Sequence, residues 1–360
     1  MKRIDYLDGH RGIAILLVIF FHAFSRWTEL VPYTDTYAQF PLFQYGFLGV
    51  QLFFLLSGFV ILMTLEKCVD FKNFLYRRWL RLFPAMLICS VIIYLSANFF
   101  FERPNGTPLA KDLIPGLTFI DPYILSKLIG TVKSIEGAFW SLYVEFKFYI
   151  ISAFLYFIIG SRKLVVSLFI LFVFGTAAIQ LDQKFNNIIL HFFSSISHHL
   201  SFKYFGWFAA GSSFYMYTKE DNKKWFFLGV IMCIFSSMAT AMNSNSLGTL
   251  IAILCISIFF SLSLVNRSIQ ELLSNKILLF FGYVSYPLYL LHENMMISLT
   301  IKYSTTLPDS INFLLPVFAI ALISGVAFII ARYIEKPVKN TISSKVITPF
   351  VKWRDASVKE

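Results

Sequence analysis

The sequence predicts an all-α integral membrane protein of about ten transmembrane helices, with both termini in the cytoplasm. Three observations predict it. The 360 residues are 57% hydrophobic and 14% charged, with a mean hydropathy of +0.69, far from the composition of a soluble domain. Apolar runs of about 20 residues, the length that crosses a ~30 Å hydrocarbon core, recur along the whole chain. The Lys and Arg residues are shared unevenly between alternate connections.

Taken in order, the spans lie near 12–28, 45–65, 83–101, 138–159, 164–180, 202–218, 225–243, 247–265, 277–298 and 311–332. With the N-terminus inside, the inner segments hold Lys2, Arg3 and Arg11; Lys67, Lys72, Arg77, Arg78 and Arg81; Arg162 and Lys163; Lys219, Lys223 and Lys224; Arg267 and Lys276; and Arg332, Lys336, Lys339, Lys345, Lys352, Arg354 and Lys359. That is 22, against 8 outside, with Lys147 inside a span. The bias supports both termini in the cytoplasm. It also accounts for the net charge of +11 without a nucleic-acid partner. The first span lacks a small-residue cleavage site and is followed by further spans, so it is expected to remain in the protein. One polytopic membrane domain over 1–340 and a short basic cytoplasmic tail over 341–360 are expected. The four cysteines have neither pairing nor metal-like spacing and are expected to be core residues. An outer loop over 102–137, with four prolines, is long enough to cover an opening. The inner loop over 66–82 is the basic one.

The first span carries Arg11 and His22 with only apolar residues and Gly12 between them. Eleven residues make three helical turns plus about 20°, so the two side chains share a face about 16 Å apart along the axis. Ionisable groups in a membrane helix are costly and mark functional sites facing the protein interior. Glu145 in the fourth span and His292 in the ninth fall, with His22, in the outer half of the bilayer. Two imidazoles and a carboxylate suit general-base chemistry; metal binding is the rival use, and the spacing does not favour it. Lys147 either pairs with an acid of another helix or snorkels. Glu293, Asn294, His198 and His199 are expected near the outer surface. Arg77, Arg78 and Arg81 beside Trp79 offer guanidinium forks for phosphate and an aromatic face for a base; positions at a cytoplasmic span end also serve topology alone. Gly46, Gly49 and Gly58 permit close helix packing, and Ser57 is a second candidate contact for a ligand.

These motifs resemble, in sequence order, those of the integral-membrane acyltransferase-3 family. LDGHRGIAILLVIFFH is similar to its Arg-x10-His signature, filled by Arg11 and His22, and FFLLSGF to its second-span motif with Ser57 and Gly58. RRWLRLFP resembles its cytoplasmic arginine motif, with Arg78, Arg81 and Pro84 and with Arg77 beside them. FWSLYVEFKFY matches at Trp140, Ser141 and Glu145; GYVSYPLYLLH at Gly282, Ser285, Tyr286, Tyr289 and His292; and YIEKP at Tyr333, Glu335 and Pro337. His10 stands where Leu is usual, and Phe146-Lys147 where Glu-Gln is common; both bear on substrate choice rather than on the matched catalytic positions.

The resemblance implies a bacterial inner-membrane O-acyltransferase with no bound cofactor or metal. Its donor would be acyl-CoA, most often acetyl-CoA, with the nucleotide and phosphates on Arg77, Arg78, Arg81 and Arg11 and the pantetheine arm reaching toward His22. The acceptor would be a hydroxyl of an envelope or exported glycan or lipid-linked sugar: O-antigen, lipooligosaccharide or exopolysaccharide. Catalytic positions are His22, as general base or acyl relay, with Glu145 and His292; Ser57, Trp140, Ser141, Ser285, Tyr286, Tyr289, Tyr333 and Glu335 fill substrate or structural motif positions. Some members carry an added extracytoplasmic SGNH-type domain, for which this chain is expected to be too short. Membrane lipids surround the protein. A transporter or flippase of a lipid-linked sugar is the alternative, and it would show repeat symmetry and broken spans that the sequence lacks.

Overall fold

The computed structural model describes residues 4–31, 37–185, 187–304, 306, 308, 311, 312 and 314–344. Lys2, Arg3, Lys345, Lys352, Arg354 and Lys359, used in the topology count, lie outside the described residues, as does the expected tail from 345 on. Among the described residues there is no strand. The main helices, numbered in chain order, are α1 (Asp5–Phe21), α2 (Gly49–Leu65), α3 (Phe71–Ser96), α4 (Trp140–Phe185), α5 (Ile188–His199), α6 (Phe205–Glu220), α7 (Lys223–Ser244), α8 (Leu247–Ser263), α9 (Arg267–Leu273), α10 (Lys276–Ser304), α11 (Leu314–Ile329) and α12 (Glu335–Ile342). Six helical segments are long and apolar enough to cross a membrane, or seven with the α8–α9 pair, bent by 109°.

Local chemistry sets the boundaries. Asp5 and Asp8 sit in the first turn of α1, where negative charge complements the helix dipole. Helices α6 and α7 end on Asp221 and Asn245 in the left-handed region (φ 48° and 47°), and the next residue caps the following helix: Asn222 accepts from Lys224 N, and Ser246 from Thr249 N. This explains how hairpins of two residues connect α6 to α7 and α7 to α8. A straight helix over 137–185 would be about 74 Å long, more than twice the hydrocarbon core. It is broken at Gly160, whose φ of 78° lies outside helical space, between the two spans read from the sequence.

Two readings are corrected. The basic stretch 66–82 is not a loop, because α3 begins at Phe71, where Asp70 caps it by accepting from Asn73 N at 2.7 Å. Pro84 therefore lies inside α3 rather than opening a span. Hydropathy marks where the bilayer ends, whereas helix hydrogen bonding continues into water. For the same reason His198 and His199 end the helix α5 rather than lie in a loop.

The chain divides into two compact units. The first comprises residues 1–26, 36–75 and 140–283. Within it α2 packs on α1 and α6, α6 on α4 and α7, and α7 on α8. Its centre is aromatic: Phe148 stacks on Phe208 at 3.9 Å, and Phe59, Phe205, Trp207 and Phe214 are fully buried. Close packing is absolute at Gly58, where a Cβ would lie 2.1 Å from the Phe208 carbonyl oxygen. The second unit comprises residues 27–35, 76–139 and 284–360, with most of α3 and α10, the connection over 102–137, α11 and α12. Large apolar side chains such as Ile158, Ile170, Phe235 and Phe318 point outward, as lipid-facing residues do. The cysteines are free; Cys89 and Cys233 are buried, but Cys68 is half-buried and Cys255 exposed, so only two are core residues.

Candidate functional site

In the first unit, α1 gives way at His22 to a π-helical turn, His22–Arg26, an irregularity frequent at functional sites. His22 Nδ1 lies 2.9 Å from the Val18 carbonyl. A carbonyl only accepts, so Nδ1 carries the proton and Nε2 is the basic nitrogen of the neutral ring. Arg11, three turns below on the same face, pairs with Asp8 at 2.9 Å and stays 28% exposed. Gly282 of the late motif has a backbone role here: a Cβ would lie 2.0 Å from the Asp8 carbonyl oxygen, so only glycine allows α10 to approach α1 at this level. His10, the departure from the usual Leu, is a packed core residue hydrogen-bonded to Ser263 Oγ at 2.8 Å and set against Phe259 and Phe260.

Glu145 sits in the second turn of α4, half-buried. Its Oε1 accepts from Ser57 Oγ and from Tyr149 OH, each at 2.5 Å. Hydroxyls donating to a carboxylate form short, charge-assisted bonds, so the group is fixed from two sides, and among the described residues no hydrogen bond engages Oε2. Tyr149 was not singled out in the sequence, although its i+4 spacing from Glu145 is the helical-neighbour signal that would have found it. Ser141 and Tyr143 are buried nearby on α4, while Trp140 packs on Phe54 and Tyr204. Lys147 donates to Ser201 Oγ at 3.4 Å.

In the second unit, His292 on α10 is 1% exposed, and its Nδ1 donates to the Tyr289 carbonyl at 2.8 Å, which again makes Nε2 the basic nitrogen. Tyr289 OH donates to the Ala138 carbonyl at 2.8 Å. Glu293 and Asn294, expected at the surface, are buried instead. Glu293 accepts from Ala138 N at 2.6 Å. Asn294 receives Asn105 N at 3.0 Å, donates from Nδ2 to the Ile135 carbonyl at 3.3 Å and binds Glu136 through N and Nδ2. Arg103 reaches the Ile135 carbonyl and, at 3.4 Å, Glu136 Oε1. Burial pushes the Glu136 carboxyl up to about 8, outweighing the downward pull of Arg103; burial also lowers Arg103. Partners more than 150 residues away bury these side chains, so nothing local in the sequence could reveal them. Ser285 is buried, and Tyr286 OH donates to the Leu82 carbonyl at 3.0 Å, tying α10 to α3.

The arginines stand on α3. At 100° per residue Arg77, Arg81 and Arg78 span an arc of about 100°, so helicity gathers all three on one side. Arg77 and Arg81 are exposed. Arg81 is 3.6 Å from Glu335 of the closing motif. Trp79 stacks on Phe83 at 4.4 Å, which occupies a face expected to receive a base. Tyr333, 63% exposed, lies in a π turn, Ile330–Ile334, with Phe328 at its ring edge.

A Staphylococcus aureus (strain COL) protein provisionally named an O-acetyltransferase is 28% identical over 161 residues, 42% of this chain and 24% of its own length. A Bacillus subtilis (strain 168) protein provisionally named peptidoglycan O-acetyltransferase YrhL is 30% identical over 165 residues, 42% of this chain and 23% of its own. The peptidoglycan O-acetyltransferase OatA of Listeria monocytogenes serovar 1/2a (strain ATCC BAA-679 / EGD-e) is 25% identical over 168 residues, 42% of this chain and 24% of its own. The match thus spans about a quarter of these relatives' length. No solved structure matches the chain. The acyltransferase-3 family, described as an acyltransferase domain, matches residues 4–332, and the chain belongs to that family.

Proposed function

We propose that the protein is a membrane O-acyltransferase that moves an acyl group, acetyl above all, from cytoplasmic acyl-CoA to a hydroxyl of an envelope or exported glycan. The observation that carries this reading is the tautomer of His22, whose Nδ1 proton is committed to Val18 and whose Nε2 is basic. In the proposed step His22 Nε2 takes the proton of the acceptor hydroxyl while its oxygen attacks the thioester carbonyl. The carbon–sulfur bond breaks, the CoA sulfur leaves and is protonated, and an oxygen ester remains. Glu145, fixed by Ser57 and Tyr149, supplies negative charge that favours the protonated imidazole. His292, with the same tautomer, is proposed as a further catalytic imidazole. Arg77, Arg78 and Arg81, gathered on one side of α3, are proposed to hold the CoA phosphates, joined by Arg11. Relatives named for peptidoglycan make a cell-wall glycan a candidate acceptor beside the lipid-linked and exported sugars. Ten spans with both termini inside, in the bacterial inner membrane, complete the proposal, supported by the break at Gly160.

The test is acetyl-CoA turnover by purified protein in liposomes, read as free thiol, with membrane glycolipid extract or peptidoglycan fragments as acceptor. A positioned base contributes about 10²–10⁴-fold, so His22→Ala is expected to lose that much acceptor-dependent release. Full activity in that variant overturns the role of His22; no release while acetyl-CoA still binds points to a different acceptor, and no binding of acetyl-CoA at all favours a transporter.

A further inference from the structure

The outer loop, within the second unit, contains a cavity of about 190 Å³ that no step of the proposed transfer uses. Its wall includes Asn105, Thr107, Lys111, Asp112, Thr131 and Lys133, with no aromatic side chain. Asp112 builds it: the carboxylate is buried and accepts from Leu109 N at 2.9 Å and from Lys133 N at 2.8 Å, tying two separate loop segments into opposite walls. Both of its oxygens are thereby occupied. Among the described residues, no hydrogen bond engages the side chains of Thr107, Lys111, Thr131 or Lys133. Two ammonium groups and two hydroxyls therefore line a hollow whose one carboxylate is already hydrogen-bonded on both oxygens.

The occupant follows from size and chemistry. The volume is below the ~300–1,000 Å³ of sites for drug-sized ligands, which limits it to about one ring. An apolar ligand would displace water from these exposed lysines and threonines and replace none of its hydrogen bonds. A divalent cation would face two ammonium groups, and a nucleobase would find no ring to stack on. A polyhydroxylated ring with a carboxylate or phosphate satisfies all four side chains. The location fits as well. The Asn294 side chain accepts from Asn105 N and donates to the Ile135 carbonyl. One amide thus grips two edges of the cavity, two residues along the chain from His292.

We infer that this cavity binds one negatively charged sugar unit of the acceptor glycan, its anionic group held by Lys111 and Lys133 and its hydroxyls by Thr107 and Thr131. The inference rests on the reading of the protein as a glycan acyltransferase and adds that the acceptor is acidic.

The test is saturation-transfer NMR on the full chain in phosphatidylcholine nanodiscs, titrated with methyl glucuronide, glucose 6-phosphate and methyl glucoside. At least one charged sugar is expected to bind about tenfold more tightly than the neutral one, and which of the two does so identifies carboxylate or phosphate. A Lys111→Ala, Lys133→Ala double variant is expected to lose that preference; Lys111→Arg with Lys133→Arg is expected to keep it, which separates charge from folding. Equal binding of all three sugars, no binding of any, or an unchanged preference in the alanine variant overturns the inference. Thiol release from acetyl-CoA by the wild type in the same nanodiscs, with membrane glycolipid extract or peptidoglycan fragments added as acceptor, reports separately on the transferase reading. Release without charge-selective binding sinks the cavity alone; charge-selective binding without release leaves the cavity and sinks the transferase.

Discussion

Ser57 donates to Glu145 Oε1 at 2.5 Å across 88 residues of sequence. That bond joins two motifs that the sequence presents separately, the Ser-Gly of α2 and the Trp-Ser-Leu-x-x-Glu of α4, and gives each a reason. Serine is there to position the glutamate, and the glutamate is held by hydroxyls rather than by a cation. A carboxylate so held keeps one oxygen to act on a neighbour.

Removing the two donors tests this arrangement. Hydrogen bonds to charged groups contribute about 1.5–3 kcal/mol, so Ser57→Ala and Tyr149→Phe are each expected to lower the rate of acceptor-dependent thiol release by about tenfold. The double variant should fall further, with KM for acyl-CoA little changed, because the two hydroxyls act on Glu145 rather than on a phosphate. Wild-type kcat in the double variant would show that Glu145 needs no orientation.

The Arg81–Glu335 pair makes a prediction of opposite signs. The 3.6 Å pair is exposed on the Arg81 side, and such bridges contribute only about 0–1 kcal/mol to stability. Its interest lies in competition: Glu335 neutralises one arginine of the cluster proposed to bind phosphates. Arg81→Ala is expected to raise KM for acetyl-CoA about tenfold, and Glu335→Gln to lower it or leave it unchanged, both with kcat nearly intact. A rise in KM on Glu335→Gln would mean that the glutamate holds Arg81 in its working position.

Much of this was legible in the sequence because a bilayer imposes a plain rule. Six helical segments, or seven with the bent α8–α9 pair, are long and apolar enough to cross, and Arg11 and His22 fall in one of them, since length and hydropathy decide what can cross hydrocarbon. The first turns of α3 escaped because Lys72, Arg77, Arg78 and Arg81 end the hydropathy signal while Asp70 continues to support helical hydrogen bonding. Glu293 and Asn294 escaped for a different reason. Polar residues read as surface unless their partners are known, and theirs, Ala138 and Glu136, come from a loop far away in sequence.

Gly58 and Gly325 give a matched test of packing. At Gly58 a new Cβ meets the backbone of Phe208, oxygen at 2.1 Å and carbon at 2.7 Å, and backbone cannot swing aside. Ser212 Oγ also donates to the Gly58 carbonyl at 3.0 Å, which holds the two helices at that spacing. Gly58→Ala is expected to cost about 1–3 kcal/mol or more, seen as a lower Tm in detergent. At Gly325 nothing lies within 4 Å of the added carbon, so Gly325→Ala should be neutral or stabilising by up to about 1 kcal/mol. Equal Tm values for the two variants would refute the packing argument.

Glu136 predicts how stability depends on pH. Its carboxyl, buried against Arg103, Asn294 and Glu293, is pushed up to about 8 from its ordinary 4.5. Between these values the folded protein holds a proton that the unfolded chain has released. Stability from this group is therefore fully present below about pH 4.5 and declines as pH rises toward 8. Arg103 does not reverse the sign, because a guanidinium is not deprotonated in proteins. The wild-type Tm should fall between pH 5 and pH 8, and Glu136→Gln, which has no proton to lose, should flatten that slope. The amide still offers an oxygen to the Asn294 donors, so the variant is expected to fold. An identical slope in the variant would place the pH dependence elsewhere and would mean that Arg103 keeps Glu136 ionised in the folded state.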